Sequence, residues 1–274
     1  MTGTLDGDPA LLVLLAVVLG GLGLAVGSFL NVVIYRVPDG ASVIRPASAC
    51  PACHTPIAAR DNIPIVSWLL LRGRCRACGA RISARYAVVE AVTAVVWLGL
   101  GWWALAAEQL SLLPWLLVLG SACVALTFID LEHHRLPDAI VFPLYPVGVL
   151  GLALAGILGG AWPLADAGIG IAIWLVVIGG LWLISGGRGM GFGDVKLAPI
   201  LGATLGWVGV AAAAVGLFAA FALAAVVGIV LMAARRAGRR SHIPFGPFLV
   251  VGGAVGLVAG QAIWEAYTQA LSGP

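Results

Sequence analysis

Seven apolar stretches without a single Lys or Arg run through this chain, near residues 10–34, 86–106, 112–130, 139–160, 166–185, 197–232 and 246–270. A bilayer core of about 30 Å needs about 20 apolar residues in a helix, so six of them suit one crossing each. The stretch 197–232 is too long for one crossing, and Gly206-Trp207 inside it is expected to mark a tight turn between two shorter ones. The expected fold class is therefore an all-α polytopic membrane protein with about eight transmembrane helices. Composition agrees. Charged residues make up 10% of the chain and hydrophobic ones 61%, whereas a soluble domain carries about 25% charged residues. A surface this poor in polar groups must be solvated by lipid. The segment before the first run, MTGTLDGDPA, has no basic residue, so that run is expected to be a retained helix and not a cleavable signal.

The 15 basic residues place the helices. They are Arg36, Arg45, Arg60, Arg72, Arg74, Arg76, Arg81, Arg85, Arg135, Arg188, Lys196, Arg235, Arg236, Arg239 and Arg240. With eight crossings, every one of them falls in or beside a loop on one side, which the positive-inside rule makes cytoplasmic. The opposite ends carry the acids Asp6, Asp8, Glu108, Asp166 and Glu265. Trp102, Trp103, Trp115, Trp162, Trp207 and Trp264 gather there as an aromatic belt. A seven-helix arrangement would put either the Arg235–Arg240 cluster or the Arg188–Lys196 loop outside. The expected division is a first helix over 1–36, a cytoplasmic module over 37–85 and a membrane core over 86–274.

The module holds four of the five cysteines, as Cys50-x-x-Cys53 and Cys75-x-x-Cys78. Two such pairs about 20 residues apart suit a tetrahedral zinc site. The competing reading is a disulfide framework, which a reducing cytoplasm disfavours. Four thiolates leave no open coordination position, so the metal would be structural. Arg72, Arg74, Arg76 and Arg81 would offset its negative charge. His54 reads as an ordinary loop residue, and Cys123, alone in a span, as a small packing residue.

Acids near a membrane span are costly and point to function. Asp130 closes an apolar run in FIDLEHHRLPD, and Asp194 follows Gly191-Phe192-Gly193 in GMGFGDVKL. Both fall at cytoplasmic helix ends and can converge. Two close carboxylates share a proton; the ionised one activates a water while the protonated one polarises a peptide carbonyl. The residues alone leave an ion or proton pathway equally open, and Asp194 open to being the cap of a helix starting at Val195. Asp138 reads as a helix N-cap. Glu132, His133 and His134 read as a wet interfacial loop, and Glu90 as the partner of a loop Arg.

The chain resembles bacterial prepilin peptidases, the type IV leader peptidase family of membrane aspartic proteases. The resemblance is carried by five motifs in order: GSFLNVVIYRVP (27–38), CPACHTPIAARDNIPIVSWLLLRGRCRACGARISARYAVVE (50–90), IDLEHHRLPD (129–138), GMGFGDVKL (189–197) and IPFGPFL (243–249). It departs from many relatives at Ala87, where they have Pro. The resemblance implies a multi-pass enzyme of the bacterial inner membrane. Such an enzyme cuts the basic leader from type IV prepilins and pseudopilins after a Gly, on the cytoplasmic side, with Asp130 and Asp194 as the catalytic pair. It also implies that the loop carrying Cys50, Cys53, Cys75 and Cys78 serves methylation of the new amino terminus by S-adenosylmethionine. No Gly-rich fingerprint marks a pocket for that donor, and Glu90 is a possible helper base. Asp61, Glu132 and Asp138 are the acids best placed to meet a basic leader, and no nucleic-acid partner is expected. A peptidase without methylation, a proton-coupled transporter and a non-catalytic zinc scaffold are the competing readings.

Overall fold

The computed structural model describes residues 9–188, 190–234 and 244–272. Asp6, Asp8, Gly189, the Arg235–Arg240 cluster and Ile243, all used in the reading above, lie outside the described residues. Within them the chain is helical: α1 (Pro9–Arg36), α2 (Val66–Leu70), α3 (Arg85–Ala106), α4 (Leu113–His133), α5 (Asp138–Val141), α6 (Leu144–Gly159), α7 (Leu164–Ser185), α8 (Phe192–Val208), α9 (Val210–Ala233) and α10 (Gly246–Ser272). Among the described residues, seven helical stretches are long and apolar enough to cross a membrane: α1, α3, α4, α5 with α6, α7, α9 and α10. The eighth expected crossing is α8, whose 17 residues stand at the short end of the spanning range. Large apolar side chains such as Val17, Phe29, Leu150, Ile184 and Phe218 face outward, as a lipid-solvated surface requires.

The long stretch does break in two, but not at Gly206-Trp207. The break is Gly209, whose φ of 155° belongs to glycine. Gly206 instead serves contact: a Cβ there would strike the carbonyl oxygen of Asp166 on α7. A glycine kept for close approach and a glycine kept for a turn look alike in sequence.

The chain forms two compact units, one up to Ala125 and one from Leu126 onward, with the boundary inside α4. In the first, α1 and α3 run antiparallel along a stripe of small residues. A Cβ on Gly23 would come within 2.8 Å of Ala94 Cα, and one on Gly27 within 2.7 Å of Glu90 Cα. One turn further, the Asn31 side-chain amide donates to the Tyr86 carbonyl at 3.0 Å. Such backbone approach lets dispersion hold helices where lipid supplies no hydrophobic drive. The Trp97 indole donates to Ser121 Oγ at 2.9 Å, tying α3 to the first half of α4.

In the second unit the same device recurs. Gly202 on α8 packs on the Gly170 backbone of α7, 2.5 Å from a Cβ to the Gly170 oxygen. Gly252 on α10 meets the Gly216–Ala220 turn of α9 just as closely. Trp174, fully buried, donates its indole N–H to the Ala213 carbonyl at 2.9 Å, joining α7 to α9.

Candidate active site and metal centre

The second unit brings Asp130 and Asp194 together. Asp130 lies in the last turn of α4 and Asp194 in the first turn of α8. Each is 5% exposed, and Asp194 is close enough to feel the charge of Asp130. Each carboxylate is held by one glycine amide. Gly246 N–H, the first of α10, donates to Asp130 Oδ2 at 3.0 Å. Gly191 N–H, just before α8, donates to Asp194 Oδ2 at 3.2 Å. Amides at a helix start have no intrahelical acceptor and carry the positive end of the helix dipole. Both carboxylates are thus parked at helix N-termini and oriented by backbone.

The capping reading of Asp194 is therefore true in part. The helix begins at Phe192 and not at Val195, and Asp194 reaches back from its third position to the Gly191 amide. That contact uses one oxygen.

Leu136 completes the joint. It is buried and fills the space beside both glycines of the site. A Cβ on Gly193 would lie 2.8 Å from Leu136 Cβ, and one on Gly246 would lie 3.3 Å from Leu136 Cδ2. Gly193 is thus needed for close approach, not for unusual dihedrals. Gly246 and Leu136 lie within the motifs IPFGPFL and IDLEHHRLPD, but the sequence assigns neither a role; for Gly246 the Gly246-Pro247 step at a helix start is the available signal.

Other expected residues fall elsewhere. Asp138 is the first residue of α5, preceded by Pro137. It does not cap a helix; its carboxylate pairs with Lys196 at 2.5 Å. Asp61 is taken by Arg76, whose Nε and Nη2 donate to Asp61 Oδ1 at 2.9 and 2.7 Å. That guanidinium holds the Asp61 carboxyl below its ordinary range. Asp61 and Asp138, both suggested for a basic leader, are therefore paired within the chain. Glu132 and His133 belong to the exposed last turn of α4, with His134 just beyond. Glu90 is buried, and among the described residues its carboxylate is met by a backbone group and not by a loop Arg: its Oε2 accepts the Ile65 amide at 2.7 Å.

The first unit holds the cysteines as two matching knuckles. Cys50 N–H donates to Thr55 O at 3.0 Å and His54 N–H to Cys50 O at 2.9 Å. In the second, Cys75 N–H donates to Ala80 O at 2.8 Å and Gly79 N–H to Cys75 O at 2.9 Å. His54 and Gly79 occupy the same left-handed position, with φ of 57° and 73°. His54 therefore serves the turn, as an exposed loop residue.

The four sulfurs lie within 4.8 Å of one another, and Cys50 and Cys78 are 3.9 Å apart. Tetrahedral zinc with bonds of about 2.3 Å puts sulfurs about 3.8 Å apart, so the donor set fits. None of the five cysteines is in a disulfide. The Thr55 hydroxyl and amide draw Cys53 down to about 6. Cys78, despite the Ala80 amide, is pushed up to about 11 by hydrogen bonding with Cys53 and the other thiols. The Cys78 and Ala77 amides draw Cys75 down as well, so the knuckle amides favour thiolates in a group that a divalent cation would complete. Bound zinc would keep all four as thiolates and brace both knuckles.

Comparison with known proteins gives two family matches. Residues 22–104 match the Bacterial Peptidase A24 N-terminal domain, and residues 117–233 match the Type IV leader peptidase family. The chain is 39% identical to a prepilin leader peptidase/N-methyltransferase of Aeromonas salmonicida, over 89% of this chain and 90% of that one. It is 36% identical to the protein of the same name from Neisseria gonorrhoeae, over 92% and 93%. For the one from Pseudomonas aeruginosa the figures are 34%, 90% and 91%. No solved structure gives a significant match.

Proposed function

The chain belongs to the type IV leader peptidase family, and from that premise we propose that it cleaves the leader of type IV prepilins and pseudopilins and methylates the amino terminus so released. The observation that carries the peptidase half is the pair Asp130 and Asp194, buried side by side with one oxygen of each held by a helix-terminal amide. One carboxyl of such a pair keeps a proton while the other is ionised. The ionised one takes a proton from water as the oxygen attacks the scissile carbonyl, and the protonated one donates to the carbonyl oxygen. Collapse of the tetrahedral intermediate passes a proton to the departing nitrogen and frees the amine. The oxygens not held by Gly191 and Gly246 are those the reaction uses.

A prepilin is a natural fit to this position. Its leader is basic and its stem apolar, so the stem lies in the bilayer and the cut falls at the surface. Asp130 and Asp194 stand at helix ends, whereas transporter acids sit mid-span at broken helices. If each long helix crosses once, alternation puts Arg36, Arg85, Arg135 and Arg188 at the same side as these ends, and the positive-inside rule makes that side cytoplasmic. The protein would then be a multi-pass protein of the bacterial inner membrane with its active site toward the cytoplasm.

The methylation half rests on the names of the relatives. We assign it to the segment 37–85, with zinc on Cys50, Cys53, Cys75 and Cys78 as its brace. The donor in this reading is S-adenosylmethionine, whose methyl passes to the neutral amine, which then loses a proton. The test incubates the purified protein with a prepilin and S-adenosylmethionine and reads the product mass. Leader loss with an added methyl supports both halves, leader loss alone only the first, and an unchanged substrate neither.

A further inference from the structure

Lys196 stands two residues beyond Asp194, and the structure encloses it. Its ammonium lies 2.5 Å from Asp138 Oδ1. It also sits over two aromatic faces, 5.2 Å from the Phe142 centroid and 4.8 Å from that of Phe192. Its own carbonyl accepts the Tyr145 hydroxyl at 2.7 Å. Asp138, Phe142 and Tyr145 are spaced four and three residues apart, the spacing of one helical face. That face of α5 and α6 therefore grips one lysine at its ammonium, through Asp138 and Phe142, and at its backbone, through Tyr145. Phe192 is itself backed by Trp182, with centroids 5.1 Å apart.

The placement of this grip gives it a consequence. Asp130 and Asp138 bracket the turn that carries Leu136, and Leu136 is wedged against Gly193 and Gly246. Lys196 fastens the far end of that turn to the helix bearing Asp194. The covalent chain from Asp130 to Asp138, the ion pair, and the step from Lys196 back to Asp194 make a continuous bracket that runs from one carboxylate to the other past Leu136. Two positions along a helix is about 200° of rotation, so the ammonium points away from the side Asp194 occupies. It acts on the site through geometry and not as a charge in the reaction.

We propose that Lys196 is a positioning residue for leader cleavage: its clasp on Asp138, Phe142 and Tyr145 keeps the turn around Leu136, and with it Asp130, in register with Asp194. This rests on the aspartic peptidase reading above. It also withdraws Asp138 from binding the substrate leader.

The test compares the parent protein with Lys196→Met, Lys196→Asp, Asp138→Lys and the charge-exchanged pair Lys196→Asp with Asp138→Lys. Each is assayed for kcat and KM of prepilin cleavage and for its thermal midpoint in detergent. Misplacing reacting groups by about 1 Å costs up to about a hundredfold. Lys196→Met is expected to lose roughly ten- to a hundredfold in kcat with KM within about twofold, and the exchanged pair to recover most of what Lys196→Asp loses. An unchanged kcat in Lys196→Met overturns the inference. So does a rise in KM at constant kcat, which would put Lys196 on the substrate. A fall in kcat that only tracks the thermal midpoint, without rescue by the exchanged pair, overturns it as well. If the parent itself leaves prepilin intact, the peptidase reading fails first and takes the inference with it.

Discussion

The amide of Gly246 donates to Asp130 Oδ2 across 116 residues of sequence, so the start of α10 sets where a carboxylate at the end of α4 points. A methyl on that glycine would come 2.7 Å from the same oxygen, closer than any real contact. Gly246→Ala must therefore turn the carboxylate or push α10 back. The expected result is a fall of about ten- to a hundredfold in kcat for prepilin cleavage, with the protein still folded in the membrane. Steady-state kinetics on a synthetic prepilin, beside a thermal midpoint in detergent, checks it.

Asn at either carboxylate keeps size and shape but removes the proton that the pair shares. Asp130→Asn and Asp194→Asn should each lower cleavage by about a thousandfold or more, the range of lost acid–base catalysis. The helix-terminal amides still find an oxygen acceptor in Asn, so folding should persist. Full cleavage by either purified variant would remove the pair from the chemistry.

The thiols make a prediction about order of reaction. Thr55 lowers Cys53 while the neighbouring thiols raise Cys78, so Cys53 carries more thiolate than Cys78 at pH 7, and the thiolate is the nucleophile. In chelator-stripped protein, iodoacetamide at pH 7 should alkylate Cys53 well before Cys78, and zinc should protect both. Peptide mass mapping over time reads the order. Cys75→Ser should in turn lower bound zinc, measured by elemental analysis.

The matching turns at His54 and Gly79 should respond in opposite ways. Both are left-handed, and a Cβ on Gly79 meets nothing within 4 Å, so Gly79→Ala costs backbone strain alone, about 1 kcal/mol. His54→Gly relieves the same strain and should be neutral or slightly stabilising. The rate of zinc loss to a chelator ranks the variants: Gly79→Ala fastest, His54→Gly no faster than the parent. A fast His54→Gly would mean that the imidazole does more than serve the turn.

Much of this protein is determined by its sequence without further help. Hydropathy reads off at a resolution of about 20 residues, because a helix must match the bilayer, and it yields the long helices and the polar module between the first two. The cysteine spacing is equally local: a knuckle is closed within six residues, so Cys50, Cys53, Cys75 and Cys78 are legible as a set. Asp130 and Asp194 are legible as acids in places where acids are costly.

What only the tertiary structure decides is how distant segments meet. Gly206 and Gly209 are both glycines in one apolar run, yet the first makes room for α7 and the second turns the chain. Asp138 looks like a cap and is an ion-pair partner, because Lys196 lies 58 residues away. Glu90 reads as a partner for arginine and instead holds the Ile65 amide. Periodicity and spacing report a residue's relation to its own helix. The carboxylate orientation that chemistry needs is set by amides and side chains of other helices, and that information exists only once they pack.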